Sequence, residues 1–214
     1  MTKKALIIIF LILIADQALK FYVKLNFFYG EEITIFGDWF KLSFLENKGM
    51  AWGAELPIAN GKLILSLFRV VAVTALGYYL HKIIQKGEHK GYIAAISLIF
   101  AGALGNIIDS TFYGVIFESS FGPNGPAKFI TNPGFQGGYE TWFYGNVVDM
   151  LHFPLINGRF PDWMPFWGGD SFLFFSPVFN IADTAISVGV GMILVFQKRY
   201  FPKNQNKEAL VAED

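Results

Sequence analysis

Four stretches of the chain are apolar over enough residues to form membrane-crossing helices, approximately 5 to 24, 62 to 84, 91 to 109 and 177 to 197. A hydrocarbon core about 30 Å thick takes roughly 20 helical residues at a rise of about 1.5 Å each. The first stretch opens with Lys3-Lys4 and an apolar run from Ala5 to Ala15, the plan of a cleavable secretory leader. It leads into Asp16-Gln17 instead of a small-x-small cleavage site, so a retained helix is expected. Between the first two stretches, Phe40, Leu42 and Phe44 alternate with Lys41 and Ser43, a period of two that predicts a short strand, half buried on the membrane surface. From Gly114 to Gly145 the periodicity disappears among Gly, Pro, Asn and aromatic residues, and a long loop is expected, with Trp142 and Phe143 suited to an interface.

Composition agrees with this pattern, since 53% hydrophobic and 16% charged residues leave little polar surface for a soluble domain. The expected fold is therefore an all-α membrane protein of four transmembrane helices, with a small extracytoplasmic β-containing region and a long outer loop. Residues 1–214 are expected to form one integral membrane domain. The 17 basic and 17 acidic side chains cancel, so no nucleic-acid partner is expected. Position matters more than total charge. Lys3, Lys4, Lys82, Lys86, Lys90, Lys198, Arg199, Lys203 and Lys207 fall on one side of a four-crossing chain, which predicts cytoplasmic termini, outer segments 25–61 and 110–176, and a cytoplasmic tail 198–214. The absence of cysteine rules out disulfides, thiolate metal sites and a cysteine nucleophile. His81, His89 and His152 are scattered, no His-Glu-x-x-His occurs, and no Gly-x-Ser-x-Gly marks a serine nucleophile.

Ionisable groups at membrane depth are costly and need an internal partner or an interfacial escape. Asp16, Asp109, Asp149 and Asp183 all fall near one depth, toward the outer leaflet. Asn106 with Asp109, and Asn180 with Asp183, each place an amide and a carboxylate at i and i+3 on one helical face. Gly102, Ala103 and Gly105 would let a neighbouring backbone approach the first of these faces. Purely structural roles compete with this reading: Asn180 as a helix N-cap with Asp183 in the first turn, Asp109 as a helix end, and Asp16 paired with Lys20 while Lys20 and Lys24 snorkel outward. For Asp16 the structural role is favoured.

Five short motifs occur in order: Asp16-Gln-Ala-Leu-Lys20, Glu46-Asn-Lys-Gly-Met-Ala51, Gly102-Ala-Leu-Gly-Asn-Ile-Ile-Asp109, Val147-Val-Asp-Met150 and Phe179-Asn-Ile-Ala-Asp-Thr-Ala185. Together they resemble lipoprotein signal peptidase, signal peptidase II, from about residue 5 to 197. The resemblance implies an aspartic endopeptidase of the bacterial inner membrane. Such an enzyme removes signal peptides from diacylglyceryl-modified prolipoproteins, cutting before the lipidated cysteine. It implies no metal or organic cofactor; the expected partners are lipidated precursors and membrane lipids, and a monomer is expected. The catalytic dyad of that family falls on Asp149 and Asp183, and Asp16, Lys20, Asn47, Gly49, Asn106, Asp109 and Asn180 match its other characteristic positions.

Two departures stand out. Ser110 occupies the place where the family usually has an arginine, for which Arg69 and Arg159 are candidate substitutes. Insertions fill residues 111–146 and 154–175, and the first is expected to act on substrate access, since it carries no family motif. The alternative of another class is a small proton-coupled transporter or channel subunit. The wholly apolar Ala5 to Leu13 argues against a continuous ion path. An unrelated intramembrane aspartyl protease lacks its Gly-x-Gly-Asp signature here.

Overall fold

A computed structural model of the chain describes residues 2–47, 60–122, 125–131, 137–174 and 176–202. Its helices are α1 (Thr2–Asn26), α2 (Gly61–Lys86), α3 (Lys90–Ile108), α4 (Gly114–Ile116), α5 (Ile181–Val195) and α6 (Gln197–Tyr200). A π-helical turn, Asp109–Tyr113, joins α3 to α4. The strands are β1 (Glu32–Phe36), β2 (Phe40–Asn47), β3 (Val147–His152), β4 (Ile156–Arg159), β5 (Ser171–Phe174) and β6 (Val178–Phe179).

Three helical stretches, Thr2–Asn26, Gly61–Lys86 and Lys90–Ile116, are long and apolar enough to cross a membrane. The fourth apolar helix, Ile181–Val195, has only 15 residues, about 22 Å at the α-helical rise. It starts later than the apolar run because Val178 and Phe179 pair with His152 and Leu151 as β6. Leu6, Ile7, Phe10, Leu11 and Ile14 stand exposed along α1, the face such a helix offers to lipid.

Helix α3 packs against both α1 and α5, and glycine sets how closely. A Cβ on Gly102 would lie 2.2 Å from the Ala182 carbonyl oxygen, and one on Gly105 would lie 2.9 Å from Asp16 Oδ2. Gly102 thus admits the α5 backbone, as expected, and Gly105 makes room for the Asp16 carboxylate.

The strands form a four-stranded antiparallel sheet, β1-β2-β3-β6, and a separate β4-β5 pair. The alternation along β2 holds for Leu42 and Phe44, which are buried, but Ser43 is buried too. Its hydroxyl donates to Glu32 Oε1 at 2.8 Å and lies 3.2 Å from His152 Nδ1. The sheet positions the polar residues of three motifs: Asn47 pairs with Val147, Leu45 sits opposite Asp149, and β6 feeds directly into the start of α5.

One expectation fails on packing and one is refined. Beyond α4 and an isolated Phe117–Phe129 bridge, the described residues to 145 lie in neither helix nor strand, but the segment starts packed into the core. Tyr113 and Phe117 are fully buried with Val23, Phe27, Phe44, Val148 and Met150, and Phe117 stacks on Phe129 with ring centroids 4.6 Å apart. Phe21 of α1 meets the rings of Tyr113, Phe117 and Phe129 with centroids 5.5, 5.3 and 5.3 Å away, which ties the insertion to α1. Lys20 and Lys24 do not snorkel: both are 0% exposed, and each is paired with a buried carboxylate, Lys20 with Asp16 and Lys24 with Glu46.

Candidate active site

The end of α3 and the start of α5 meet over β3, and that junction gathers the motif residues. Asn180 caps α5, its Oδ1 accepting the Asp183 backbone N–H at 2.8 Å. The cap holds, and the same side chain does more: its Nδ2 donates to Asp149 Oδ1 at 2.7 Å and lies 3.2 Å from Asn106 Oδ1. Asn106 Nδ2 donates to Asp183 Oδ1 at 2.7 Å. Asn47 Nδ2 donates to the other oxygen of Asp149. The two carboxyl groups are thus linked through Asn180 and Asn106, and Asp183 also sits in the first turn of α5, where the helix dipole favours negative charge.

Behind this pair lies a second polar cluster built on Lys20. Its ammonium bonds Asp16 Oδ2 at 2.9 Å, Asp109 Oδ2 at 2.8 Å and Asn106 Oδ1 at 3.0 Å, using all three of its protons. Asp16 Oδ1 accepts from the Ala182 N–H at 2.9 Å, and so caps α5 from another helix. Asp109 Oδ2 accepts from the Val148 N–H at 3.2 Å, fixing β3 next to Asp149. Gln17 bridges further, donating to Asp109 Oδ1 at 2.9 Å and accepting from the Tyr113 hydroxyl at 3.1 Å. Asp16, Lys20, Asp109 and Asn180 are 0% exposed.

All the expected site residues except Gly49, which lies outside the described residues, therefore converge. Asp16 pairs with Lys20 as anticipated, though inward. Gln17 was overlooked; its place inside the first motif was the available signal. Lys24, expected to reach outward, instead forms a buried ion pair with Glu46 beside Asn47.

The position where an arginine was expected is closed to one. Ser110 is buried, its hydroxyl donates to the Asn106 carbonyl at 3.0 Å, and its own carbonyl accepts from Gly145 N at 2.9 Å. Asp109 has a positive charge beside it in Lys20, which is itself one of the family's characteristic positions. Arg159 does not substitute, being exposed with Asp162 at 3.7 Å. Arg69, half buried on α2, lies close enough to Asp183 for their charges to interact.

Asp149 is 6% exposed. Burial, followed by the charge of Asp183, pushes its carboxyl up to about 7, against the opposing pull of the Asn180 and Asn47 amides. Two acids joined by amide donors, one of them holding its proton toward neutral pH, can activate water and polarise a carbonyl.

The family described as Signal peptidase (SPase) II matches residues 8–198 of the chain. A lipoprotein signal peptidase of Porphyromonas gingivalis is 49% identical over 193 residues, covering 90% of this chain and 81% of that one. One from Amoebophilus asiaticus is 37% identical, covering 86% and 73%. Among solved structures, a bacterial membrane enzyme determined by the in meso method at 2.3 Å resolution superposes with a TM-score of 0.60 at 22% identity, covering 95% of this chain and 93% of the other. That likeness concerns the fold.

Proposed function

We propose that this chain, which belongs to the signal peptidase II family, is the aspartic endopeptidase that cuts diacylglyceryl-modified prolipoproteins directly before the lipidated cysteine. Membership of the family and the names of its relatives support removal of signal peptides from prolipoproteins. Nothing in them favours a transporter. The observation that carries the mechanism is the amide-bridged pair of Asp149 and Asp183.

In this reading one carboxyl of the pair keeps a proton while the other is charged, because two like charges in a dry site cannot both form cheaply. The charged group takes a proton from water as the oxygen adds to the scissile carbonyl. The protonated group gives its proton to the carbonyl oxygen. Collapse of the tetrahedral intermediate then transfers a proton to the departing amine and restores the pair. Asn180 and Asn106 hold the carboxyls in register, and Lys20 with Asp16 and Asp109 fixes α1, α3 and α5 around them. The lipid tails stay between helices, leaving the peptide bond at the interface.

The test is precursor cleavage by the purified protein across a pH series. The expected products are a signal peptide ending one residue before the lipidated cysteine and a mature chain beginning with it. Turnover should fall as pH rises through about 7, because Asp149 then loses the proton it must donate. Equal cleavage of unlipidated precursor would reject the substrate assignment. A rate flat from pH 5 to 9 would reject the proton-sharing pair.

The enzyme is a multi-pass bacterial membrane protein, placed in this proposal in the inner membrane with both termini cytoplasmic and as a single domain that works as a monomer. The basic asymmetry supports that orientation. Since the chain has no cysteine, Ser119→Cys and Gln85→Cys, both at exposed positions, report sidedness cleanly. An impermeant thiol reagent applied to cells with a permeabilised outer membrane should label the first and spare the second. The reverse pattern would invert the orientation.

A further inference from the structure

A second buried ion pair lies one residue from the proposed site. Lys24 and Glu46 bond one another with side chains 0% and 1% exposed. Their remaining partners come largely from the insertion 111–146. Lys24 donates to Ser120 Oγ at 2.9 Å, and that hydroxyl donates to Glu46 Oε1 at 2.7 Å. Asn146 Nδ2 donates to Glu46 Oε2 at 3.0 Å, while its own backbone N–H is held by the Tyr139 hydroxyl at 2.7 Å. Lys62 reaches the Asn146 amide oxygen from α2. The Lys24 ammonium also lies 5.1 Å and 4.9 Å from the Phe117 and Tyr139 ring centroids, at cation–π range.

The strand register makes this arrangement matter. Glu46 pairs with Val148 and Asn47 with Val147, so the last two residues of β2 flank the stretch of β3 that carries Asp149. Glu46 is tied to Asn146, just before β3, and Asn47 is tied to Asp149 itself. A charge buried with all its partners satisfied has few alternative positions, because any displacement leaves it unpaired.

We infer that Lys24 and Glu46, closed over by Ser120, Tyr139 and Asn146 of the insertion, are positioning residues for cleavage, fixing the end of β2 so that the Asn47 amide stays on Asp149. The inference rests on Asp149 being one of the catalytic pair. It gives the insertion a part in the chemical step, where the sequence suggested substrate access alone.

Lys24→Met/Glu46→Met removes both charges at once, so no buried charge is left alone. The folded double variant should lose about tenfold in kcat with KM for lipidated precursor within about twofold, the signature of one misplaced charge-assisted hydrogen bond. Asn47 stabilises the charged form of Asp149, so losing its donation should move the alkaline limb of the pH profile to higher pH. Asn47→Ala should give the same shift, and all three substitutions together should add little, since both routes remove one bond. Ser120→Ala leaves the ion pair and the Asn146 bond to Glu46 but removes the hydroxyl that bridges both charges to the insertion; a few-fold loss of kcat with the same shift is expected. It decides the matter alone if the double variant fails to fold. Unchanged kcat and pH limb in a folded variant, or full additivity with Asn47→Ala, would overturn the inference. An inactive Asp149→Asn beside such an unchanged variant rejects the coupling alone, whereas cleavage surviving in Asp149→Asn rejects the catalytic pair with it.

Discussion

Asp149→Asn and Asp183→Asn are each expected to lose at least about 10³-fold in turnover, with both variants expected to insert, fold and bind lipidated precursor. Asparagine keeps the size of the carboxyl and much of its hydrogen bonding but cannot exchange a proton. At Asp149 the Asn180 and Asn47 amides both donate to the carboxyl, so its replacement leaves two donors facing an amide that accepts through one oxygen only. At Asp183 the Asn106 donor finds the remaining oxygen, and the fold loses less. For two acids that act as one unit, the double variant is expected to be scarcely slower than either single one. The measurement is single-turnover and steady-state cleavage in liposomes, with a thermal unfolding check on each variant. Near-normal cleavage by one of the two would remove that residue from the pair. Near-normal cleavage by both would remove the aspartic mechanism.

Lys20→Met should be the most destabilising single substitution in the helical bundle. It strands Asp16 and Asp109, whose carboxylates lie 2.9 Å and 2.8 Å from the Lys20 ammonium at 0% exposure. Breaking a buried pair by removing one partner costs about 3–5 kcal/mol. For a chain of this size that corresponds to a fall in unfolding midpoint on the order of 10 °C. Methionine fills much the same volume, so the loss reports charge more than packing. Lys20→Met/Asp109→Asn, which removes one stranded charge and keeps an acceptor for the Val148 N–H, should recover part of the fall. A single variant that unfolds within a degree or two of the parent would contradict the buried-charge account.

Much of the helical scaffold was legible because apolar runs and helical spacing are local properties. A stretch such as Ala5 to Ala15 can satisfy its backbone only as a helix when it lies in lipid, whatever the rest of the chain does. The i, i+3 pairs of Asn106 with Asp109 and Asn180 with Asp183 were visible for the same reason. So was the use of Gly102 and Gly105, since small residues next to polar ones imply a close neighbour. Gln17 was passed over because glutamine carries no charge, and only its contacts to Asp109 and Tyr113, residues far away in the chain, reveal its work.

The sequence by itself determined that acids and amides must gather inside an apolar body, because an unpaired charge in hydrocarbon costs more than any local structure returns. It also determined which short segments carry them. Only the tertiary structure decided the partition. Asp16 and Asp109 share Lys20, Asp149 and Asp183 share Asn180 and Asn106, and Lys24 turns inward to Glu46 instead of outward to water. Apart from Asp16 with Lys20, one turn apart on α1, and the Asn180 cap on Asp183, those pairings join residues from different helices and strands, and they depend on the register of β2 against β3 and on how nearly α3 can approach α5. Spacing along the chain is silent on both, since each is set by side chains closing against partners that no local period brings together.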